Sequence, residues 1–353
     1  MAIDTSTQTQ VAKPGRPWEP STREKTQKLG NLVASLVLAI ALFFLTGLDG
    51  KLGFFAAFFL SFLAVTFVSE FKRAGKPAAQ DSLLTTISRF AITLAVIPIL
   101  SILGTVIAKG WRGLHWGLFT QDMSQATVND PITNGGMLAA IVGTLVMVGL
   151  ALVFTLPISI LTALYLTEIK GRFARPIRFL VQAMSGVPSI VAGLFILSAV
   201  LYPITKGFSA LMGALALTIL MIPTIARTSE EVLLLIPNDL REAGTALGGT
   251  QWRTVAMIVL PAARSGLMTA VILGVARIAG ETAPLLLLTG GGDKVNPNPF
   301  NGSVGSLPYY IWKAFNAGSP EAITRAWAGL LVLMILVLLL FTAARALTSR
   351  KVS

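Results

Sequence analysis

Long apolar runs alternate with short polar breaks along almost the whole chain. Runs at 29–48, 52–68, 90–108, 137–156, 179–201, 210–226, 266–288 and 326–347 each approach the roughly 20 apolar residues that cross a bilayer as a helix. The pattern predicts an all-α membrane protein of eight transmembrane helices. The fourth run is expected to continue past Pro157 to Leu166 with a kink at the proline, which cannot donate to the preceding turn. The first two runs form a helix pair joined by the turn Gly47-Leu48-Asp49-Gly50. A polar linker separates this pair from the remaining six. The expected organisation is a polar cytoplasmic tail at 1–28, a helix pair at 29–68, a cytoplasmic linker at 69–89 and a core at 90–353. Within the core, the polar stretch 227–264 forms a cytoplasmic loop.

Composition agrees with this pattern. Of 353 residues, 54% are hydrophobic and 12% charged, about half the charge of a soluble domain. The net charge of +12 would suggest nucleic acid in a soluble protein, but its placement is topological. Clusters such as Lys25 and Lys28, Lys72 to Lys76, Lys170 to Arg178, and Arg227 to Arg264 fall on one side of the predicted membrane. Fewer basic residues, among them Lys51, Lys109, Arg112, Lys206 and Arg325, fall on the other. By the positive-inside rule both termini lie in the cytoplasm of a multi-pass protein in the plasma (inner) membrane. No nucleic-acid partner is implied. The chain has no cysteine and one histidine, His115, so disulfides and thiolate metal sites are excluded and a histidine metal site has too few ligands. No Gly-x-x-x-x-Gly-Lys-Ser/Thr stretch is present to cradle phosphates. The chain is therefore not expected to be an ATPase or any other enzyme.

The loop 227–264 reads as a docking device. Asn238 is expected to cap a short helix, with Asp239 and Glu242 in its first turn, where negative charge suits the helix dipole. Leu240, Ala243 and Leu247 share one face. Ala243, Gly244 and Ala246 make a small-residue face that a partner surface can approach closely. Gly248 can take the left-handed conformation that ends a helix. Thr250 can cap a second short helix stopping near Pro261. The spacing Glu242-Ala243-Gly244, Gly248, Ile258-Val259-Leu260-Pro261 resembles the EAA loop of ABC-importer permeases, with Gly244 in place of the usual second alanine.

The seventh run carries Arg277 and Glu281. An arginine near a span's centre costs roughly 2.5–3.5 kcal/mol on insertion scales, so it must face protein or a wet cavity. The two residues are four apart and can pair on one helix face. Pro284 leaves the Gly280 carbonyl free, and a kink is expected there. One reading is an anion pathway. Arginine's planar fork matches tetrahedral oxyanions, and Glu281 could accept the hydrogen bond of an oxyanion that keeps a proton, as phosphate does and sulfate does not. The alternative is a salt bridge that braces helices.

The segment Gly274-Val275-Ala276-Arg277-Ile278-Ala279-Gly280-Glu281-Thr282-Ala283-Pro284 resembles the signature of phosphate ABC-importer permeases of the PstA type. So do Gly186-Val187-Pro188-Ser189-Ile190-Val191-Ala192-Gly193-Leu194 and Arg227-Thr228-Ser229-Glu230-Glu231. The resemblance runs from about Phe90 onward. It implies a six-helix type I importer core, a heterodimer with a sister permease, a separate ATPase pair that carries ATP and Mg, and an extracytoplasmic phosphate-binding protein. The helix pair at 29–68 departs from that plan and is expected to lie outside the substrate route. Two other functions remain compatible with the residues. One is a permease for another oxyanion; the other is an ion-coupled secondary carrier using Arg277 and Glu281. Two further segments, 109–136 and 290–325, are expected outside the membrane. The second turns amphipathic through Tyr309, Tyr310, Trp312 and Phe315, read as a helix at the membrane interface, with contact to a soluble donor protein as the alternative.

Overall fold

A computed structural model describes residues 22–47 and 50–349. Most of the polar tail and the centre of the Gly47–Gly50 turn fall outside the described residues. The described chain is helical apart from one isolated bridge between Gly290 and Val304. It separates into two compact units, Met1–Ser101 and Ile102–Ser353.

The first unit contains α1 (Thr22–Thr46) and most of α2 (Gly50–Gly110). The sequence places two helices and a polar linker where the structure has α2. The linker is itself helical, because Lys, Arg, Glu, Gln and Ala are good helix formers and polarity marks only the exit from the membrane. The single interruption is Gly75, at φ 81 and ψ −173, a backbone region open essentially to glycine. Pro77 follows, with φ preset for the start of a helix. The Phe59 and Phe90 rings stack with centroids 3.9 Å apart. They lie at nearly equal distances along the chain on either side of Gly75, so the two limbs of α2 turn back on each other. α1 is tied to the first limb by Gln27 Nε2 donating to Ser69 Oγ at 2.9 Å, and by an edge-on contact of Phe43 with Phe54.

The second unit packs around α4 (Leu138–Leu164), α7 (Ala210–Leu234) and α10 (Leu260–Ala279). Met147, Val148 and Ala151 of α4 meet Leu217, Leu220 and Met221 of α7 in its largest buried cluster, which also takes in Ala270 and Ile278 of α10. Where lipid is as apolar as leucine, such contacts rest on close packing, and small residues permit it. A Cβ on Gly266 would collide with Val232, and one on Gly274 would stand 2.7 Å from Ile225 Cγ1. These two glycines, two turns apart on α10, bring its backbone onto α7. α4 keeps its helical course through Pro157 and ends in a π-helical turn, Tyr165–Ile169.

Six described helices are long and apolar enough to cross a membrane, or seven if one bent pair counts as a span. The bent pair corrects the fifth expected span. α5 (Ala174–Ser185) ends at Gly186, and α6 (Ser189–Ile196) leaves at 105° after Pro188. The residue before a proline is driven out of the helical region, so Val187 and Pro188 break the run that hydropathy alone reads as continuous.

The segments 109–136 and 290–325 hold one-turn α3 (Gly117–Thr120) and α12 (Leu307–Ala317), followed by α13 (Pro320–Ser349). α12 is half buried, with Tyr310 and Ile311 inward and Trp312 and Phe315 exposed. Asp122 links the two segments by accepting from Val295 N at 3.2 Å. Hydrogen bonds from Ser124 hold its carboxyl below the ordinary value. Arg325 is fully buried, and its Nη2 donates to the carbonyls of Asp130, Pro131 and Asn134. It thus staples the segment 109–136 to α13 instead of standing free as a loop charge.

Candidate functional site: a docking protrusion and a broken span

α8 (Asn238–Ala246) and α9 (Gln251–Thr254) form the expected pair of short helices. Pro237, not Asn238, occupies the cap position, and Asn238 begins the helix. The C-terminal end is as expected. Gly248 has φ +81, Gly249 N donates to Gly244 O at 3.1 Å, and Gly248 N donates to Thr245 O at 2.9 Å. This is a Schellman-type stop. Thr250 Oγ1 caps α9 by accepting from Arg253 N at 3.4 Å. The second helix does not stop near Pro261. It runs on through a π-helical turn, Val255–Val259, into α10, and Pro261, which has no N–H to give to the preceding turn, follows directly on that π-helical turn. The protrusion is thus a rigid extension of α10.

Gly244 is buried at the crossing of the two helices. A Cβ there would stand 2.6 Å from Thr254 Cγ2 and 2.9 Å from Ile258 Cδ1. Its small size serves the fold of the protrusion itself, whereas Ala243 and Ala246 face outward with Glu242. Leu240, Leu247, Trp252 and Met257 are exposed, Leu247 at 89%. Val259 is buried, Leu260 half-buried and Pro261 exposed.

Sequence reasoning missed what fixes this protrusion to the bundle. Arg241 Nη2 stands 2.8 Å from Glu168 Oε1, and the guanidinium also donates to the carbonyls of Ile236 and Leu233. Gln251 Nε2 donates to Glu168 O at 2.7 Å. Glu168 lies in the π-helical turn that ends α4, far away in sequence, and no spacing rule pairs it with Arg241. A second pair joins α5 to α7, Arg178 Nη2 to Glu230 Oε1 at 2.6 Å. Glu230 belongs to the Arg227–Glu231 motif, which carried no assigned role. Glu168 is half-buried, with 6% of its side chain accessible, so Arg241→Ala leaves a carboxylate without its counter-charge, a change worth on the order of 3 kcal/mol. The expected result is faster amide exchange across α8 with little change in α4 or α7. Exchange rates equal to the parent's would remove the clamp role.

Arg277 and Glu281 are not paired. The helix ends at Ala279, Glu281 N donates to Ile278 O at 3.1 Å, and the four-residue helical relation is lost. Arg277 is exposed on the surface of this chain, and its Nη1 donates to Thr224 Oγ1 of α7 at 2.9 Å. Thr224 precedes Ile225, against which Gly274 seats α10, so the glycine contact delivers the guanidinium to the hydroxyl. The expected kink at Gly280 is a full break. Gly280 closes α10, and Pro284 sits in the first turn of a separate helix, α11 (Ala283–Leu288).

Two motifs that are far apart in sequence meet at this break. A Cβ on Gly193 would stand 2.8 Å from Pro284 Cα, so α6 packs directly against the start of α11. The half-buried Glu281 and Thr282 lie at the break itself. The arrangement can present one cation, one carboxylate and the polar groups of two interrupted helices to a surface that this chain does not cover. Interrupted helices at membrane depth are tolerated where they are buried or line a cavity.

The model of the family described as "Binding-protein-dependent transport system inner membrane component" matches residues 155–353. The chain belongs to this family. The PstA 1 phosphate transport system permease protein of Mycobacterium tuberculosis is 39% identical over 269 residues, covering 75% of this chain and 87% of that protein. The PstA permease protein of Haemophilus influenzae is 38% identical, over 74% of this chain and 92% of its own length. A probable PstA of Methanocaldococcus jannaschii is 33% identical, over 75% and 92%. Among solved structures, an inward-facing MetNI methionine ABC transporter chain aligns with TM-score 0.49 at 22% identity, over 61% of this chain and 93% of that one. The relatives are named as permeases, which are transport components. The family membership and the apolar helices together make this chain a multi-pass membrane permease.

Proposed function

We propose that the chain is the transmembrane permease subunit of an ATP-driven phosphate importer. The observation that carries the reading is Arg277, a cation within a spanning helix, held by a neutral hydroxyl and left without a carboxylate partner. An arginine at that depth needs protein or a wet cavity beside it. The surface it occupies is therefore read as the wall of a translocation path completed by a sister permease. Glu281 at the adjoining break accepts the hydrogen bond of a protonated phosphate and repels a fully ionised oxyanion. The names of the PstA relatives support phosphate as the cargo.

The protrusion of α8 and α9, with exposed Leu240, Leu247 and Trp252, docks onto a separate ATPase dimer that carries ATP and Mg. An extracytoplasmic phosphate-binding protein delivers the substrate to the opposite face. Counting the two limbs of α2 and the bent α5–α6 pair each in their own right gives eight spans, six in the importer core and two in an additional N-terminal pair. Both termini then lie in the cytoplasm, as the basic residues require. A reporter fused after Thr348 is expected to be active only in its cytoplasmic format; activity on the outer side would reverse the orientation.

The functional test is uptake by vesicles reconstituted with the chain and its partners. Phosphate, and not sulfate, should accumulate when ATP is supplied without an ion gradient. Accumulation driven by a proton or sodium gradient in the absence of ATP would replace the reading with an ion-coupled carrier.

A further inference from the structure

The N-terminal unit contains a cavity of about 400 Å³ between α1 and the two limbs of α2. Phe58, Phe59, Phe62 and Phe90 make its apolar side, and Lys28 and Arg89 also line it. Neither cation has a carboxylate partner among the described residues. Glu70 also lines the cavity, and its carboxylate lies 3.9 Å from Arg73. The lining charge is therefore net positive, and Glu70 is itself screened.

The depth of Arg89 is unusual. Because Phe90 stacks on Phe59, Arg89 lies level with the middle of the first limb, where residues 52–68 carry no charge. It is 14 residues from Gly75, or about 21 Å along a helix. Lys28 follows Gln27, which is bonded to Ser69, only about 9 Å from Gly75 by the same rise. The cavity thus runs from a polar mouth near the hairpin bend to an unpaired guanidinium at a depth where its neighbours are apolar. A charge so placed requires an anion or water. The phenylalanines require an apolar body on the same ligand.

We propose that this cavity binds an anionic phospholipid, with its phosphodiester on Arg89, its head group reaching toward Lys28, and an acyl chain along Phe58 and Phe62. The cavity volume is within the range of small-molecule sites, and the rest of the lipid continues into the bilayer. Free phosphate would satisfy Arg89 but leave the aromatic wall uncovered, so the lipid is the occupant. The helix pair at 29–68 carries charge only at its turn, Asp49 and Lys51, at the far end from the cavity's polar mouth, yet Lys28 and Arg89, just outside the pair, frame a site.

The test uses the full chain with its partners in nanodiscs that contain phosphatidylglycerol and phosphatidylcholine. Lipids retained after brief detergent exchange are counted by native mass spectrometry. The parent is expected to retain phosphatidylglycerol about tenfold over phosphatidylcholine, because the two cations favour the lipid with a net negative charge. Lys28→Ala with Arg89→Ala should abolish the preference, and Lys28→Arg with Arg89→Lys should keep it. The charge-preserving pair also decides the matter if the alanine pair does not fold. Equal retention of both lipids by the parent would overturn the proposal. So would displacement of the retained lipid by millimolar inorganic phosphate, which would make the cavity a free-phosphate site. Loss of the preference in the charge-preserving pair would overturn it as well.

Discussion

Arg277→Ala is expected to abolish phosphate import while leaving the protein folded and assembled. An ion pair between Arg277 and Glu281 would make this change strand a carboxylate. The structure removes that penalty. Arg277 donates to Thr224, a neutral hydroxyl, and losing it leaves no uncompensated charge. Removing a charge from a spanning helix should even favour insertion. Transport, in contrast, loses a charge-assisted hydrogen bond to the anion, worth up to about 3 kcal/mol, or roughly a hundredfold in rate. Arg277→Lys keeps the charge but loses the planar fork and should fall between the two. Glu281→Gln keeps an acceptor and should cost less than Arg277→Ala. The double replacement by apolar residues should match Arg277→Ala in transport. Phosphate uptake in a strain lacking other phosphate systems, scored beside co-purification of partners, decides the outcome. Uptake near the parent level with Arg277→Ala would reduce the residue to scaffolding.

The second large effect is expected at Gly248. A valine there must adopt φ near +81, a conformation that costs an L-residue roughly 1–2 kcal/mol and is worse for a β-branched side chain. No atom lies within 4 Å of a Cβ at this position, so the penalty is conformational and not steric. The chain can relieve it only by opening the Gly249-to-Gly244 stop, which would turn α8 away from α9. The predicted phenotype is a membrane-inserted protein that no longer binds its ATPase and no longer transports. Gly248→Asn, which tolerates the left-handed region, should retain most activity. Gly244→Leu should resemble Gly248→Val for a different reason, a collision with Thr254 and Ile258. Normal ATPase association in Gly248→Val would show that the angle between the short helices is not what the partner reads.

The sequence alone determined the features that depend on local composition. Apolar run length gave the membrane class, because a span must satisfy its backbone internally over a fixed thickness. The left-handed glycine and the Thr250 cap were legible because each is set by residues within one turn. Hydropathy could not resolve what happens inside an apolar run. It read 179–201 as one span, whereas Pro188 breaks it, and it gave 69–89 only as a polar linker, which is helical on both sides of Gly75. Nor could spacing establish Arg277 and Glu281 as partners, since the four-residue rule holds only while the helix continues. The tertiary structure decided the long-range pairings. Arg241 with Glu168, Arg277 with Thr224, and Gly193 against Pro284 join residues with no local relation. Each is set by how closely two helices pack, through contacts such as Gly274 on Ile225, and such distances arise only once the bundle is assembled.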